Sequence, residues 1–356
     1  MKKKFPPGVA TGNLVEEIFQ YAKEENFALP AVNVIGSNSI KAVLETAKKV
    51  NSPVIIQFSH GGSLFFAGKS LNNLNEKASI IGSICGAKYV HELSEYYNTT
   101  VILHTDHCNK KLLPWIDGLL TINENYYKVF GKTLFSSHMI DLSEESLIEN
   151  IKISKIYFKR MKKINMTLEV ELGITGGKED EIDNTKINFD KLYTSPKEVF
   201  KFYNELIKIN SKFIIAASFG NVHGVYNKGI ISLKPEILNN CQNYIKNKNK
   251  NKPKPINFVF HGGSGSSLNE FKNSINYGVI KINLDTDIQY SFTGGVRDYI
   301  NNNTEYLKNQ IGNPQGKLLP NKKYYDPRVW LRKGENNLKK ILKNTFEKLN
   351  NINRLS

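Results

Sequence analysis

Long apolar runs, paired cysteines and acid in balance with base are all missing from this sequence, and each absence excludes something. No apolar run approaches the roughly 18 residues that a membrane-crossing helix needs. Three cysteines (Cys85, Cys108, Cys241), odd in number and far apart, build neither a disulfide framework nor a Cys-x-x-Cys site. The segment Met1–Gly8 (MKKKFPPG) opens basic but has no apolar stretch behind it, so it does not read as a secretory signal, and cytoplasm is the expected compartment. What is present is enough for a core: 40% of the 356 residues are hydrophobic and 23% charged, which excludes general disorder. The length suits about two average domains, or one large α/β barrel with insertions.

Acid is the scarcer charge. With 33 Asp and Glu against 49 Lys and Arg, the net charge is +16. Such a balance serves nucleic acid, an anionic membrane surface or small anionic substrates. The lysines are scattered among Asn and Ile, as in 247–252 (NKNKNK), which is the pattern of compositional drift. No basic stripe interleaved with aromatics and no recognition helix stands out, so specific nucleic-acid binding and a membrane partner are not expected.

Eight short, β-branched-rich apolar runs recur along the chain: Ala28–Val34, Pro53–Ser59, Thr100–Asp106, Leu134–Asp141, Thr167–Gly173, Phe213–Gly220, Ile256–Gly263 and Gly278–Asp285. Amphipathic stretches lie between them, including Ile40–Val50, Leu142–Ile164 and Pro196–Ile209. For Leu142–Ile164, the residues Asp141 to Glu145 offer N-cap choices followed by first-turn acids. Continuous apolar strands alternating with helices imply parallel pairing with both faces covered. Eight such units predict a closed (β/α)8 barrel with N- and C-terminal helical extensions; an open doubly wound sheet is the alternative. A single domain over 1–356 is expected, with a mobile, glycine-hinged loop at 176–192, a low-complexity helix end and linker at 239–255, and a tail over 312–356 that ends in a helix near Glu335–Leu349.

Polar residues collect where the runs end: Gln57 and Ser59, Asp106 and His107, Asp141, Glu169 and Glu171, Asn221 and His223, His261, Asn283 and Asp285. In a barrel all these ends open on one face, where active sites are built. His107, His223 and His261 end separate runs with no thiolate partner, the donor set of a catalytic Zn²⁺ that keeps a position open. Asp141, Glu169 and Glu171 are placed to orient the histidines or to supply a second cation site. His60, His91, His104 and His138 read as packed or hydrogen-bonded residues, with His104 and His138 inside runs and close enough to support the site; Cys108 reads as packing. The turn 261–266 (HGGSGS) follows the seventh run, and its backbone N–H groups suit a phosphate, with 283–286 completing the pocket. The full Gly-x-x-x-x-Gly-Lys-Ser/Thr spacing is missing, so a nucleotide P-loop is not supported. Metal, phosphate cradle and carboxylates together suit carbonyl chemistry on a sugar phosphate, although metal-dependent barrel hydrolases share the first two features.

Five segments carry a specific resemblance: Val101–Cys108 (VILHTDHC), Lys111–Gly118 (KLLPWIDG), Ser136–Ser143 (SSHMIDLS), Ala216–Gly224 (AASFGNVHG) and Phe258–Gly265 (FVFHGGSG). The chain resembles the class II fructose-1,6-bisphosphate aldolases, longer bacterial subgroup, over essentially its whole length. That family is a (β/α)8 barrel of lyases that reversibly cleave fructose 1,6-bisphosphate in glycolysis and gluconeogenesis. The resemblance implies catalytic zinc on His107, His223 and His261, and a second, structural divalent cation at Asp141 and Glu171. It implies Asp106 as the acid/base at the C4 hydroxyl, Glu179 as the carboxylate exchanging a proton with the dihydroxyacetone-phosphate carbanion, and Asn283 as stabiliser of the enediolate. The triose phosphate pocket would involve Ser59, Gly224, Gly262, Gly263, Ser264, Asn283, Leu284, Asp285 and Thr286. A monovalent cation, Na⁺ or K⁺, would lie near Val222, Gly224 and Ser264. Arg328 matches an arginine that reaches the other phosphate from a neighbouring subunit, which implies a homodimer. Two positions depart from the pattern: Lys178 stands before Glu179 where a second acid is expected, and its charge would make Glu179 a weaker base. His60 follows Ser59 where a neutral amide is usual.

Other readings stay open on sequence alone. Tagatose 1,6-bisphosphate differs only in stereochemistry at C4. Lys281, inside the last run, offers a Schiff-base mechanism, which leaves the three histidines unexplained. A basic binding protein that has lost catalysis would not need the chemistry residues that are all present.

Overall fold

The computed structural model describes residues 4–173, 176–179, 182–184, 192–223, 232–249, 253–263 and 265–356, with backbone alone at 176–179, 182–184, 222 and 223. Eight strands match the eight apolar runs: β1 (Leu29–Asn33), β2 (Val54–Phe58), β3 (Thr100–Thr105), β4 (Ser137–Ile140), β5 (Thr167–Leu172), β6 (Phe213–Ala217), β7 (Phe258–Phe260) and β8 (Val279–Leu284). Each pairs in parallel with the next, and β8 returns to β1 with Lys281 opposite Leu29. The pairing of β3 with β4 through His104↔Ser137 and Thr105↔His138 closes the ring. That closure excludes the open doubly wound sheet. The start of β3 pairs instead with a short strand, Gly8–Ala10, which fills the gap left by the shorter β4.

Side chains alternate faces along a strand, so one sequence phase builds the interior and the other the helix-facing layer. On the outward phase, Ile56, Phe58, Leu103, Val170, Ile215, Phe258 and Ile282 join the large core under the surrounding helices. On the inward phase, Leu29, Ala31, Ile55, Ile102, Ile214, Ala216 and Val259 fill the lower barrel. Helix α1 (Asn13–Glu24) caps that end with Val15, Ile18, Phe19 and Ala22. Two residues further along the same phase come Asn33, Gln57, His104 and His261, and in β5 and β8 the inward phase is polar already, with Glu169 then Glu171 and Lys281 then Asn283. In β1, β2, β3 and β7 the polar mouth is therefore the continuation of the apolar interior by one pleat.

The helices α2 (Ser37–Val50), α3 (His60–Ala67), α4 (Lys77–Tyr96), α5 (Leu113–Phe130), α6 (Leu147–Lys163), α7 (Pro196–Ile207), α8 (Glu236–Asn249) and α9 (Leu268–Asn276) surround the barrel. Ser195 and Glu198 form a capping box that starts α7, with Pro196 in the first turn, and Ser267 and Glu270 do the same for α9. The C-terminal extension adds α10 (Thr286–Asn302) and α11 (Pro327–Lys348), which pack on each other, and α11 packs on α2. No helix among the described residues is long and apolar enough to cross a membrane.

Four local details differ from the sequence reading. Helix α6 is capped by Ser146, whose hydroxyl accepts the Glu149 N–H, and not by Asp141 or Ser143. Asp141 is committed elsewhere, its Oδ1 accepting the Ser143 N–H and O–H at 3.1 and 2.7 Å. The backbone in the expected loop pairs as two antiparallel strands, Gly176–Glu179 and Ile182–Asn184, and Val222–His223 adds to the first in parallel. The final helix starts at Pro327, eight residues before Glu335, because Asp326 caps it by accepting the Arg328 N–H. A hairpin, Ile311–Asn313 with Gly316–Pro320, lies in the extension where no strand was expected.

Candidate active site at the barrel mouth

Asp106 is the centre of the described site. It follows β3 on the inward phase and is 1% exposed. Its Oδ2 accepts the amides of Asn33 and Gln57, each at 3.0 Å, and its Oδ1 accepts the Asn283 amide at 3.0 Å. Burial alone would raise its pKa, but the positive charges of His107, Lys281, His261 and His104 outweigh that and hold it at about 2. Gln57 and Asn283 were legible as polar strand ends. Asn33 was not singled out, although it sits on the interior phase of β1 after Leu29 and Ala31.

His107 adopts φ +34, a left-handed backbone that non-glycine residues rarely take. The peptide is held on both sides, by the Asp106 N–H to the Phe58 carbonyl at 2.9 Å and the Asp141 N–H to the Cys108 carbonyl at 2.8 Å. Strain of this kind persists where surrounding bonds over-determine the geometry. Here it lets consecutive residues, Asp106 and His107, both serve the mouth.

The two histidines whose side chains are described meet edge to face, with ring centroids 4.6 Å apart. The His107 Nδ1–H donates to Asp141 Oδ2 at 3.0 Å, and Glu171 Oε2 lies 3.4 Å from the same nitrogen. The His261 Nε2–H donates to Glu169 Oε1 at 2.9 Å, while its Nδ1 lies 3.4 Å from Glu171 Oε2. Burial disfavours charge on His261, yet Glu171 and Glu169 push its pKa up to about 9. His107 behaves alike: burial opposes its charge, and Asp106, Asp141 and Glu171 raise it well above the ordinary value. Asp141 and Glu169 are held below the usual carboxylate range despite their burial, chiefly by His107 and by Lys281 respectively.

This donor set fits a metal ion. Asp106, His107 and His261 bring ligand atoms within 4.8 Å of one another, as do His107, Asp141 and Glu171. Asp106, Asp141, Glu169 and Glu171 are four buried carboxylates that share this region with one buried ammonium, Lys281. Buried negative charge in that excess needs further cations, supplied by charged His107 and His261 or by a metal ion in their place. A carboxylate cannot donate, so Glu169 takes the His261 Nε2–H and Asp141 the His107 Nδ1–H, and His261 Nδ1 and His107 Nε2 are the atoms that would face a metal ion.

The other expected residues divide. Ser59 is the N-cap of α3, its Oγ accepting the Gly62 N–H at 3.0 Å. Gly262 has φ +64, and a Cβ on Gly263 would stand 2.7 Å from Ile282 Cγ2, so this turn needs both glycines. Asp285 and Thr286 start α10. Leu284 lies on the outward phase, and its side chain packs in the helix-facing core. Arg328 is 88% exposed on α11 and pairs with Asp326 at 2.6 Å, in contact with none of the described mouth residues. Gly224 and Ser264 lie outside the described residues, and for Glu179, Val222 and His223 the backbone alone is described, each within a strand.

The remaining histidines have structural partners. His60 Nε2 meets Glu76 Oε2 at 2.6 Å beside the edge of Trp115. His91 bonds the Leu134 carbonyl at 2.8 Å, and His138 lies between Thr105 Oγ1 and the Asn123 amide at 2.7 and 2.9 Å. His104 does support the site, with its Nε2 3.3 Å from Glu169 Oε2. Burial pushes the Cys108 thiol up, in keeping with packing.

Comparison with known proteins agrees with this geometry. The family described as fructose-bisphosphate aldolase class-II matches residues 13–354. The chain is 56% identical over 350 residues to the fructose-bisphosphate aldolase class 2 of Escherichia coli K12, covering 98% of each chain. It is 58% identical over 348 residues to the fructose-bisphosphate aldolase of Campylobacter jejuni, covering 98% of this chain and 97% of that one. A crystal structure of fructose-bisphosphate aldolase from Campylobacter jejuni superposes with a TM-score of 0.89 at 56% identity, over 98% of this chain and 97% of the other. The chain belongs to the class II fructose-bisphosphate aldolase family.

Proposed function

We propose that this chain reversibly cleaves fructose 1,6-bisphosphate to dihydroxyacetone phosphate and glyceraldehyde 3-phosphate, as a metal-dependent aldehyde-lyase of glycolysis and gluconeogenesis. The observation that carries the reading is Asp106, a buried carboxylate gripped by three amides directly beside the His107–His261 pair. The names of the relatives at 56% and 58% identity favour the fructose over the tagatose bisphosphate.

His107, His261 and His223 would hold the metal, Zn²⁺ in our reading. When bound, it supplies a Lewis acid that polarises the substrate ketone. Asp106, ionised at neutral pH, accepts the C4 hydroxyl proton as the C3–C4 bond breaks. The bond electrons pass toward C3 and the C2 oxygen, and C4 leaves as the aldehyde. Glu179, as the carboxylic acid, returns a proton to C3. The Asn283 amide, already aimed at Asp106, is positioned to share a hydrogen bond with the negative charge developing on the triose. Ser59, Gly262, Gly263, Ser264, Asp285 and Thr286 would seat that triose and its phosphate.

The same reading includes a second, structural cation at Asp141 and Glu171 and a monovalent cation, Na⁺ or K⁺, near Gly224. It also includes one domain acting as a cytoplasmic homodimer. The exposure of Arg328 supports a role across subunits. The deciding experiment is a coupled triose-phosphate assay on fructose 1,6-bisphosphate before chelation, after it, and after Zn²⁺ is restored. Cleavage should vanish and return. Cleavage that survives thorough metal removal would overturn the metal mechanism, and none in zinc-loaded protein would turn the search to the tagatose isomer. Sedimentation of the native protein tests the dimer.

A further inference from the structure

Among the described residues, Lys281 is the largest polar side chain sealed inside the barrel, at 1% exposure. It projects from β8 on the inward phase, one pleat below Asn283. Its Nζ donates to both oxygens of Glu169 on β5, at 2.9 and 2.7 Å. In the ring, β5 and β8 are separated by β6 and β7, so the pair crosses the interior instead of joining neighbours. Glu169 is 0% exposed, and its other contacts are His261 Nε2 at 2.9 Å and His104 Nε2 at 3.3 Å.

From this geometry we infer that Lys281 is a positioning residue that sets metal affinity by fixing Glu169, and through it the ring nitrogen that His261 presents. The inference rests on the proposed binding of a divalent cation by the histidines. Two oxygens anchored by one ammonium give the Glu169 carboxylate a single orientation. An acceptor-only group at His261 Nε2 places the ring proton there. Nδ1 is then the nitrogen on the side of Glu171 and His107. Without Lys281, the carboxylate would lose the anchor on both its oxygens and could rotate, and His261 would lose its fixed ring orientation. Partners of this outer kind typically change metal affinity about 10- to 100-fold.

A nucleophilic role for Lys281 fits this environment poorly. A Schiff base needs a free amine lone pair at the substrate carbon. Here the amine is committed to a carboxylate, beneath the layer in which Asp106 and Asn283 face the mouth.

The test measures Zn²⁺ dissociation against a chromophoric chelator for wild type, Lys281→Met, Glu169→Gln and the double variant. Absorption spectra of the Co²⁺-loaded proteins report the ligand nitrogens. Lys281→Met should loosen Zn²⁺ about 10- to 100-fold and shift the Co²⁺ bands. The double variant should be no weaker than the worse single variant, because the two residues act as one unit. Wild type treated with borohydride in the presence of dihydroxyacetone phosphate should retain no adduct. Wild-type Zn²⁺ affinity and Co²⁺ spectrum in Lys281→Met, or an adduct on Lys281, would overturn the inference. Should Lys281→Met fail to fold with an orphaned carboxylate, the double variant removes both charges, and wild-type affinity in it would also overturn the inference. None of these metal measurements depends on the sugar cleaved, so a missing aldolase activity would count against the proposed function alone.

Discussion

Asp106 and Asn283 are 177 residues apart in the chain and meet at 3.0 Å, amide to carboxylate, inside the mouth of the barrel. With Asn33 and Gln57 completing the grip, the carboxylate arrives already oriented. Replacing Asp106 with Asn would turn an amide toward three amide donors and remove the proton acceptor. Cleavage should fall by about 10² to 10⁴, the usual contribution of a positioned acid–base group. Bound Zn²⁺, measured by elemental analysis of the dialysed variant, should stay near one per chain at the histidine site. Loss of the metal with the activity would make Asp106 a ligand instead.

Asp141 acts on the metal through His107, holding its Nδ1–H at 3.0 Å. Asp141→Asn keeps the size but weakens that acceptor, and Zn²⁺ affinity should drop about 10- to 100-fold. His107→Ala should lose the ion altogether. A competition titration ranks the three proteins, and equal affinities would remove the site from this part of the barrel.

The glycine turn makes a steric prediction. A methyl group on Gly263 would lie 2.7 Å from Ile282 Cγ2, in a wall with no slack. Gly263→Ala should cost about 1–3 kcal/mol of stability, the range for overpacking a core. A denaturant melt of the metal-loaded variant checks this, and an unchanged midpoint would show that β8 can give way.

Acid should act on the clamp between α2 and α11. Glu45 takes both terminal nitrogens of Arg332 at 2.8 Å and also pairs with Lys339. The Arg332 guanidinium holds its carboxyl down to about 2, from an ordinary 4.5, against the opposing effect of burial. Because the folded pKa is the lower one, the stabilisation is fully present above about pH 4.5 and lost as pH falls through about 2. Arg332 is 43% exposed, so solvent screening limits the effect to about 1 kcal/mol. Thermal midpoints of wild type and Glu45→Gln should differ near pH 6 and converge toward pH 2; a constant gap would mean Glu45 works by packing.

The proton exchange is checked on Glu179. Glu179→Ala should slow tritium exchange at dihydroxyacetone phosphate far more than it weakens binding of that triose. Equal losses would contradict its role as a base.

The eight strands were legible because a strand buried on both faces reads as one apolar run, and each run found its strand to within a few residues. The mouth was legible for the same reason, as polar residues interrupting the end of each run. Less local features were not. The sequence around Asn33 carries no sign that Asp106 lies 73 positions ahead at hydrogen-bond distance. Lys281 drew attention as a reactive amine because nothing near it in the chain supplies the carboxylate, which comes from Glu169, 112 residues earlier. The start of α6 was misplaced because Asp141 has a capping residue's chemistry but spends it on Ser143 and His107. The hairpin 311–320 has exposed leucines, Leu318 at 88%, where strand patterning expects an apolar face turned to a core.

The shared phase of interior and mouth has a consequence for how this gene can vary. In β5, Leu168 and Val170 belong to the oily layer, and Glu169 and Glu171 to the chemistry, one position out of step. Deleting a single codon from that strand would exchange the two sets, sending carboxylates under the helices and aliphatic groups into the mouth. Insertions between strands carry no such penalty. Length polymorphism in descendants of this chain should therefore accumulate in the connections, while the barrel strands change only by substitution.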